Sequence, residues 1–134
     1  MPPMKFIILQ SQNYQRIKIS KLKKTAKIEV EVHFNDDKLP EHIYWDASDQ
    51  EDSKVPKDSK ALLLFLFDRE AKETLKIDLW THDFEVMEMD RLVFHTIRSI
   101  ADTYIRATNN KDMAEAMQQF AAYFGEQTGI IPTT

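Results

Sequence analysis

The apolar residues of this chain change period at Val86, and that switch constrains the fold more than any other feature. Before it, hydrophobic side chains recur every second residue or run on continuously; after it they recur every 3.6 residues. Residues 27–34 alternate without fault, with Ile28, Val30, Val32 and Phe34 on one side and Lys27, Glu29, Glu31 and His33 on the other, which predicts a half-buried strand. Asn35, Asp36, Asp37 and Lys38 predict a turn. Residues 42–45 then predict a short second strand with Ile43 and Trp45 on one face. Residues 46–60 hold two apolar side chains, Ala47 and Val55, and predict a surface loop within the domain.

Residues 61–67 are apolar without interruption. Leucine favours helix, but seven residues suit a strand, and residues 75–80 alternate after a six-residue polar connection, so the pair predicts a hairpin. From Val86, the series Val86, Met89, Val93, Ile97, Ile100 and Tyr104, widened by Phe94, Ala101 and Ile105, predicts an amphipathic helix of about six turns. Asn109 and Asn110 end it and can cap a second helix, whose expected buried stripe is Met113, Ala116, Met117, Phe120, Ala121 and Phe124, with Gly129 as the stop. Four strands followed by two helices predict an α+β domain over residues 25–130: a four-stranded antiparallel sheet with the two C-terminal helices packed on one of its faces.

Composition removes whole classes of chemistry. The chain of 134 residues has two glycines, Gly125 and Gly129, so it has no phosphate-binding glycine loop, dinucleotide fingerprint or nucleophile elbow. It has no cysteine, hence no disulfide, thiolate zinc site or thiol nucleophile. No apolar run approaches the roughly 20 residues that span a bilayer. The run from Phe6 to Leu9 is shorter than the about 7–15 residues of a signal-peptide core, so a cytoplasmic location is expected.

Net charge is −4, unevenly spread. Residues 1–24 carry Lys5, Arg16, Lys18, Lys21, Lys23 and Lys24 with no acid, against 12 basic and 22 acidic residues in the remainder. The first 24 residues read as a basic leader, disordered or an extra strand. The acidic body argues against nucleic-acid binding, which draws most of its affinity from phosphate contacts.

Candidate chemistry is sparse. His33 and His42 flank the first turn, His82 and Asp83 follow the fourth strand, and His95 lies on the polar helix face, but no two histidines share the spacing of a zinc site. No metal, cofactor or catalytic residue is expected; a small enzyme using His82, Asp83 and His95 is the weakest alternative. Surface recognition is better founded. Segment 61–67 carries Leu62, Leu64 and Leu66 on one face and Leu63, Phe65 and Phe67 on the other, and two helices can cover only one. Self-association, a client chain or the leader must cover the second. The candidate partner surface is Trp45, Leu63, Phe65, Phe67, Lys76, Asp78 and Trp80 on strands, with Arg98, Asp102 and Arg106 on the polar side of the first helix. Arg98, Asp102 and Arg106 also suit ordinary i,i+4 ion pairs.

The run Glu73-Thr74-Leu75-Lys76-Ile77-Asp78-Leu79-Trp80-Thr81, continued to Asp90, and the later run from Asp102 to Thr108 resemble the gliding motility-associated GldC family of the Bacteroidetes. The opening strand from Ala26, the turn at Leu39-Pro40-Glu41 and Ile43-Tyr44-Trp45 are similar too, so the likeness covers about residues 25–128. The resemblance implies a small accessory protein of gliding, a process powered by cell-envelope machinery associated with secretion; action through protein–protein contacts and a homo-oligomeric state are expected from the surplus apolar face of 61–67. It implies no reaction. The layout is also similar to that of the SecB export chaperone, which makes a client-binding module the second expectation.

Overall fold

The computed structural model describes residues 4–8, 24–49 and 55–133. They fall into two compact units, one ending at Asp83 and the other beginning at Phe84. The first unit holds six strands: β1 (Met4–Ile8), β2 (Ile28–Phe34), β3 (Pro40–Ala47), β4 (Lys57–Ser59), β5 (Ala61–Phe67) and β6 (Thr74–Trp80). The second holds two helices, α1 (Val86–Thr108) and α2 (Lys111–Gln127).

The α+β class and the antiparallel pairing are as expected; the single four-stranded sheet is not. The strands form two ladders, β1-β2-β3-β4 and β5-β6. Segment 61–67 is a strand and pairs with 74–80 as anticipated, Leu62 opposite Leu79 and Phe67 opposite Thr74. The division arises because β3 already has β2 on one edge and β4 on the other. Residues 57–67 form strand except at Lys60, where the chain leaves β3 and takes β6 as its partner. Thr81 N–H donates to Lys60 O at 2.8 Å and His82 N–H to Pro40 O at 2.9 Å, tying the residues just after β6 to the step between β4 and β5 and to the start of β3. The expected loop over 46–60 thus contains β4; its residues 50–54 lie outside those described. In the leader, the backbone of Met4–Ile8 pairs antiparallel with β2. The basic residues Arg16, Lys18, Lys21 and Lys23 lie outside the described residues.

Val30, Val32 and Ile43 are buried at the centre of this unit, where their alternation put them. Phe34 and Trp45 from the first ladder and Leu62 and Leu79 from the second pack against them. One face of the β5-β6 hairpin is therefore anchored at its base on the core.

With glycine scarce, left-handed backbone falls on other residues: Lys38 (φ 63°), Lys72 (φ 57°) and Asn109 (φ 56°). Such positions disfavour a β-carbon and persist where neighbouring bonds fix them. At the β2-β3 turn, Asn35 Oδ1 accepts from Asp37 N–H (2.9 Å) and Leu39 N–H (3.0 Å). At the hairpin tip, Asp68 Oδ1 accepts from Glu70 and Ala71 N–H groups (3.0 and 2.6 Å). Asn109 closes α1 through its N–H to Ile105 O at 2.8 Å.

In the second unit, Glu88 accepts from Glu85 N–H (2.9 Å) at the start of α1, and Asn110 Oδ1 accepts from Met113 N–H (3.2 Å) at the start of α2. The expected stripes hold in part: Phe94, Ala101 and Ala121 are buried as expected, but the buried arc is centred to one side of each stripe. Phe94 and Ala101 on α1 and Ala114, Ala121 and Gly125 on α2 are buried, whereas Val86, Ile100, Met113 and Phe120 are exposed. Apart from Phe94, whose ring lies over Gly125, the buried positions are small side chains, which let two helix backbones approach closely.

Candidate functional site

Cross-strand partners in an antiparallel pair point to the same face. The register of β5 and β6 therefore puts Ala61 with Trp80, Leu63 with Asp78, Phe65 with Lys76 and Phe67 with Thr74 on one side of the hairpin. Six of the ten residues singled out from the sequence, Leu63, Phe65, Phe67, Lys76, Asp78 and Trp80, thus share one surface. Phe67 is 71% exposed, Phe65 53% and Trp80 48%. Lys76 Nζ lies 3.4 Å from Asp78 Oδ2, an ion pair along the face between the aromatic rings. On the opposite face the base, at Leu62 and Leu79, is packed on the core, while Leu66 and Leu75 near the tip are exposed. The outer half of the hairpin exposes large apolar side chains on both faces, Phe65 and Phe67 on one and Leu66 and Leu75 on the other.

Trp45 stands on the other ladder, half-buried against Val30, Val32 and Ile43, with Lys57 Nζ 5.1 Å from its ring centre. It borders a shallow groove of about 510 Å³ over Glu29, Glu31, Tyr44 and Asp46, closed at one side by Val55 and Pro56. Beside it, a row of side chains emerges that sequence reasoning did not assemble. Tyr44 meets His33 edge-on at 5.2 Å and stacks on His42 at 5.4 Å. His33 Nε2 is 2.7 Å from Glu31 Oε1, and His42 Nδ1 is 3.1 Å from Asp58 Oδ2. The signal was the alternation of 27–34, which put Glu29, Glu31 and His33 on one face; what it lacked was the register that sets His42 opposite His33.

In the second unit, Arg106 Nε pairs with Asp102 Oδ2 at 3.3 Å, while Arg98 lies over the Phe94 ring at 5.7 Å. These three residues share α1 but belong to a different unit from the hairpin. His95 is exposed beside Phe94. Among the described residues, no three His, Asp or Glu side chains gather where an ion could sit.

Asp83 has an assigned neighbourhood of another kind. The buried Thr81 hydroxyl donates to its Oδ1 at 2.6 Å, and Lys60 Nζ is 3.8 Å from Oδ2. The Thr81 hydrogen bond, helped by Lys60 and opposed by partial desolvation, holds the carboxyl below its usual range. A lowered pKa in the fold stabilises above the unfolded value, near pH 4, and this contribution is lost as pH falls through the folded value. Replacing Thr81 by Val should move the Asp83 titration, followed by carboxyl NMR shifts, upward toward the ordinary value. An unmoved curve would show that the hydroxyl does not hold it.

No helix among the described residues is long and apolar enough to cross a membrane. No curated protein and no solved structure matches the chain. A family model does, described as gliding motility-associated protein GldC-like, over residues 40–130. The match begins at β3, so the opening strand that also carried the likeness lies outside it, and it takes in both the β5-β6 hairpin and the two helices. With most of its length so matched, the chain belongs to the GldC-like gliding motility-associated family.

Proposed function

We propose that this protein is a non-enzymatic, cytoplasmic accessory component of gliding motility that acts by docking other proteins of the gliding or secretion machinery on the face formed by Leu63, Phe65, Phe67 and Trp80. The observation that carries the reading is the convergence on one hairpin face of exposed aromatic rings around the Lys76–Asp78 pair, in a member of a gliding family. Aromatic anchors ringed by polar groups are where binding energy concentrates in protein interfaces. An exposed phenylalanine is also costly to leave in water, about 25 cal/mol per Å² of apolar surface, so its burial favours association.

The test exchanges the chromosomal copy for Phe67→Asp or Trp80→Asp in a gliding bacterium and scores colony spreading, single-cell movement and crosslinked partners. Both side chains are exposed, so the variants should keep the wild-type melting temperature within a few degrees. Lost or sharply reduced movement, with loss of the same crosslinked protein in both, is expected. Normal gliding in cells lacking the protein altogether would remove the reading.

One observation favours a second reading, a chaperone-like client module. A trough of about 420 Å³ runs along the helices between Ile97, Ile100, Met113, Met117 and Phe120, almost without polar atoms. Flexible methionines suit varied apolar partners. Suppressed aggregation of an unfolded exported protein, abolished by Met113→Asp, would support it.

A further inference from the structure

An unguarded strand edge makes a more specific demand than an apolar face, because its backbone groups need a partner strand. Among the described residues β5 pairs with β6 alone, so its second edge carries no ladder. Natural edge strands are blunted by charge, proline, bulges or brevity. β5 has none of these: Ala61–Phe67 is seven residues long, uncharged, free of proline and paired with β6 in unbroken register. By contrast, β6 carries Lys76 and Asp78. Two-stranded ribbons are also marginal by themselves and gain from a third strand.

We infer that a second copy of this chain occupies that edge, β5 lying antiparallel to β5 of its partner about a two-fold axis at Leu64. The sequence is self-complementary in this register. Leu64 faces its own copy, Leu63 faces Phe65, Leu62 faces Leu66 and Ala61 faces Phe67. Each copy's exposed tip residues, Phe65, Leu66 and Phe67, are thereby laid against the other copy's more sheltered Ala61, Leu62 and Leu63. No charge meets a like charge, and the contact is isologous, so it closes as a dimer rather than growing. The two hairpins become one four-stranded sheet, and the face carrying Phe65 and Trp80 is doubled. The inference deepens the docking proposal, since it takes the hairpin to be an interaction element and names one occupant of its edge.

Because the chain has no cysteine, single cysteines report the geometry directly. Directly opposed residues in an antiparallel pair have Cα atoms about 4.5–5.5 Å apart, within disulfide reach. Leu64→Cys should link two copies on mild oxidation. Phe67→Cys, more exposed but about 20 Å from its counterpart in this register, should not. A mixture of Ala61→Cys and Phe67→Cys chains should give the mixed dimer. The wild-type chain should have twice the 15.8 kDa mass in solution, and Phe65→Lys should return it to the single mass. A wild-type chain of single mass at tens of micromolar, or Phe67→Cys linking as fast as Leu64→Cys, overturns the pairing. A monomer whose Phe67→Asp and Trp80→Asp variants still lose gliding would overturn the pairing while leaving the docking function standing.

Discussion

Replacing Ile43 by Ala is expected to lower the unfolding free energy by about 2–5 kcal/mol, the range for truncating a buried aliphatic side chain to alanine. Ile43 is 1% exposed and is one of the largest side chains fully enclosed in the described protein. It lies on β3 opposite Val32, and the same cluster receives Leu62 and Leu79 from the hairpin. The cavity would therefore open where the two ladders meet, and neither could close over it without shifting its own register. For a chain of this length the loss corresponds to roughly 3–5 °C in melting temperature per kcal/mol. Leu75→Ala supplies the contrast, since Leu75 belongs to the hairpin but is exposed; its effect should stay within about 0.5 kcal/mol. Chemical or thermal unfolding of the two variants checks both, and equal losses would mean that the hairpin tip is buried as deeply as the core.

The strand and helix elements were legible where a period could be counted against a known template. Val30, Val32 and Ile43 could be named as core because alternation assigns one face of a strand, and both helix boundaries because Asn109 and Asn110 suit a left-handed stop and a cap. The pairing of β5 with β6 was legible for the same reason. What alternation does not encode is which ladder a strand joins. Nothing in the composition of residues 57–60 marks Lys60 as the point where the chain exchanges β3 for β6, and the polarity of β4 reads as loop. Its pairing is made by backbone groups, which carry no side-chain signal. The helix stripes were legible in part, with Phe94, Ala101 and Ala121 buried as expected. A hydrophobic period gives an arc, not its centre, and the seam took the small residues Ala101, Ala114, Ala121 and Gly125 within or beside that arc. Of the ten surface residues, the six on the hairpin were legible as a group, since side chains in steps of two along adjoining strands must share a face once their register is set; Trp45 and the α1 residues Arg98, Asp102 and Arg106 fall elsewhere. The Tyr44 row with His33 and His42 was hidden because its members meet only across the β2-β3 register, with an extra residue, Glu41, opposite the step from His33 to Phe34.

Gly125→Ala should destabilise the helical unit by roughly 1–3 kcal/mol, the cost of overfilling a packed site, even though alanine is the better helix former by about 1 kcal/mol. Gly125 lies inside α2, and its backbone dihedrals do not require glycine; the space does. A β-carbon there would stand 2.7 Å from Ile131 Cδ1, 2.8 Å from Ile131 Cγ1 and 2.8 Å from Phe94 Cε2. Ile131 follows the helix, its N–H bonded to Gly125 O at 3.0 Å, so its side chain is held over the glycine by the backbone that ends α2. That side chain can rotate away. The Phe94 ring cannot do so as easily, because it is buried in the seam between α1 and α2. The two walls separate in a double-mutant cycle. In an Ile131→Ala background the cost of Gly125→Ala should fall but stay positive, the remainder being the Phe94 contact. Complete relief would make Ile131 the whole obstacle, and a stabilised Gly125→Ala protein would mean that α1 and α2 cross farther apart than 2.8 Å contacts require.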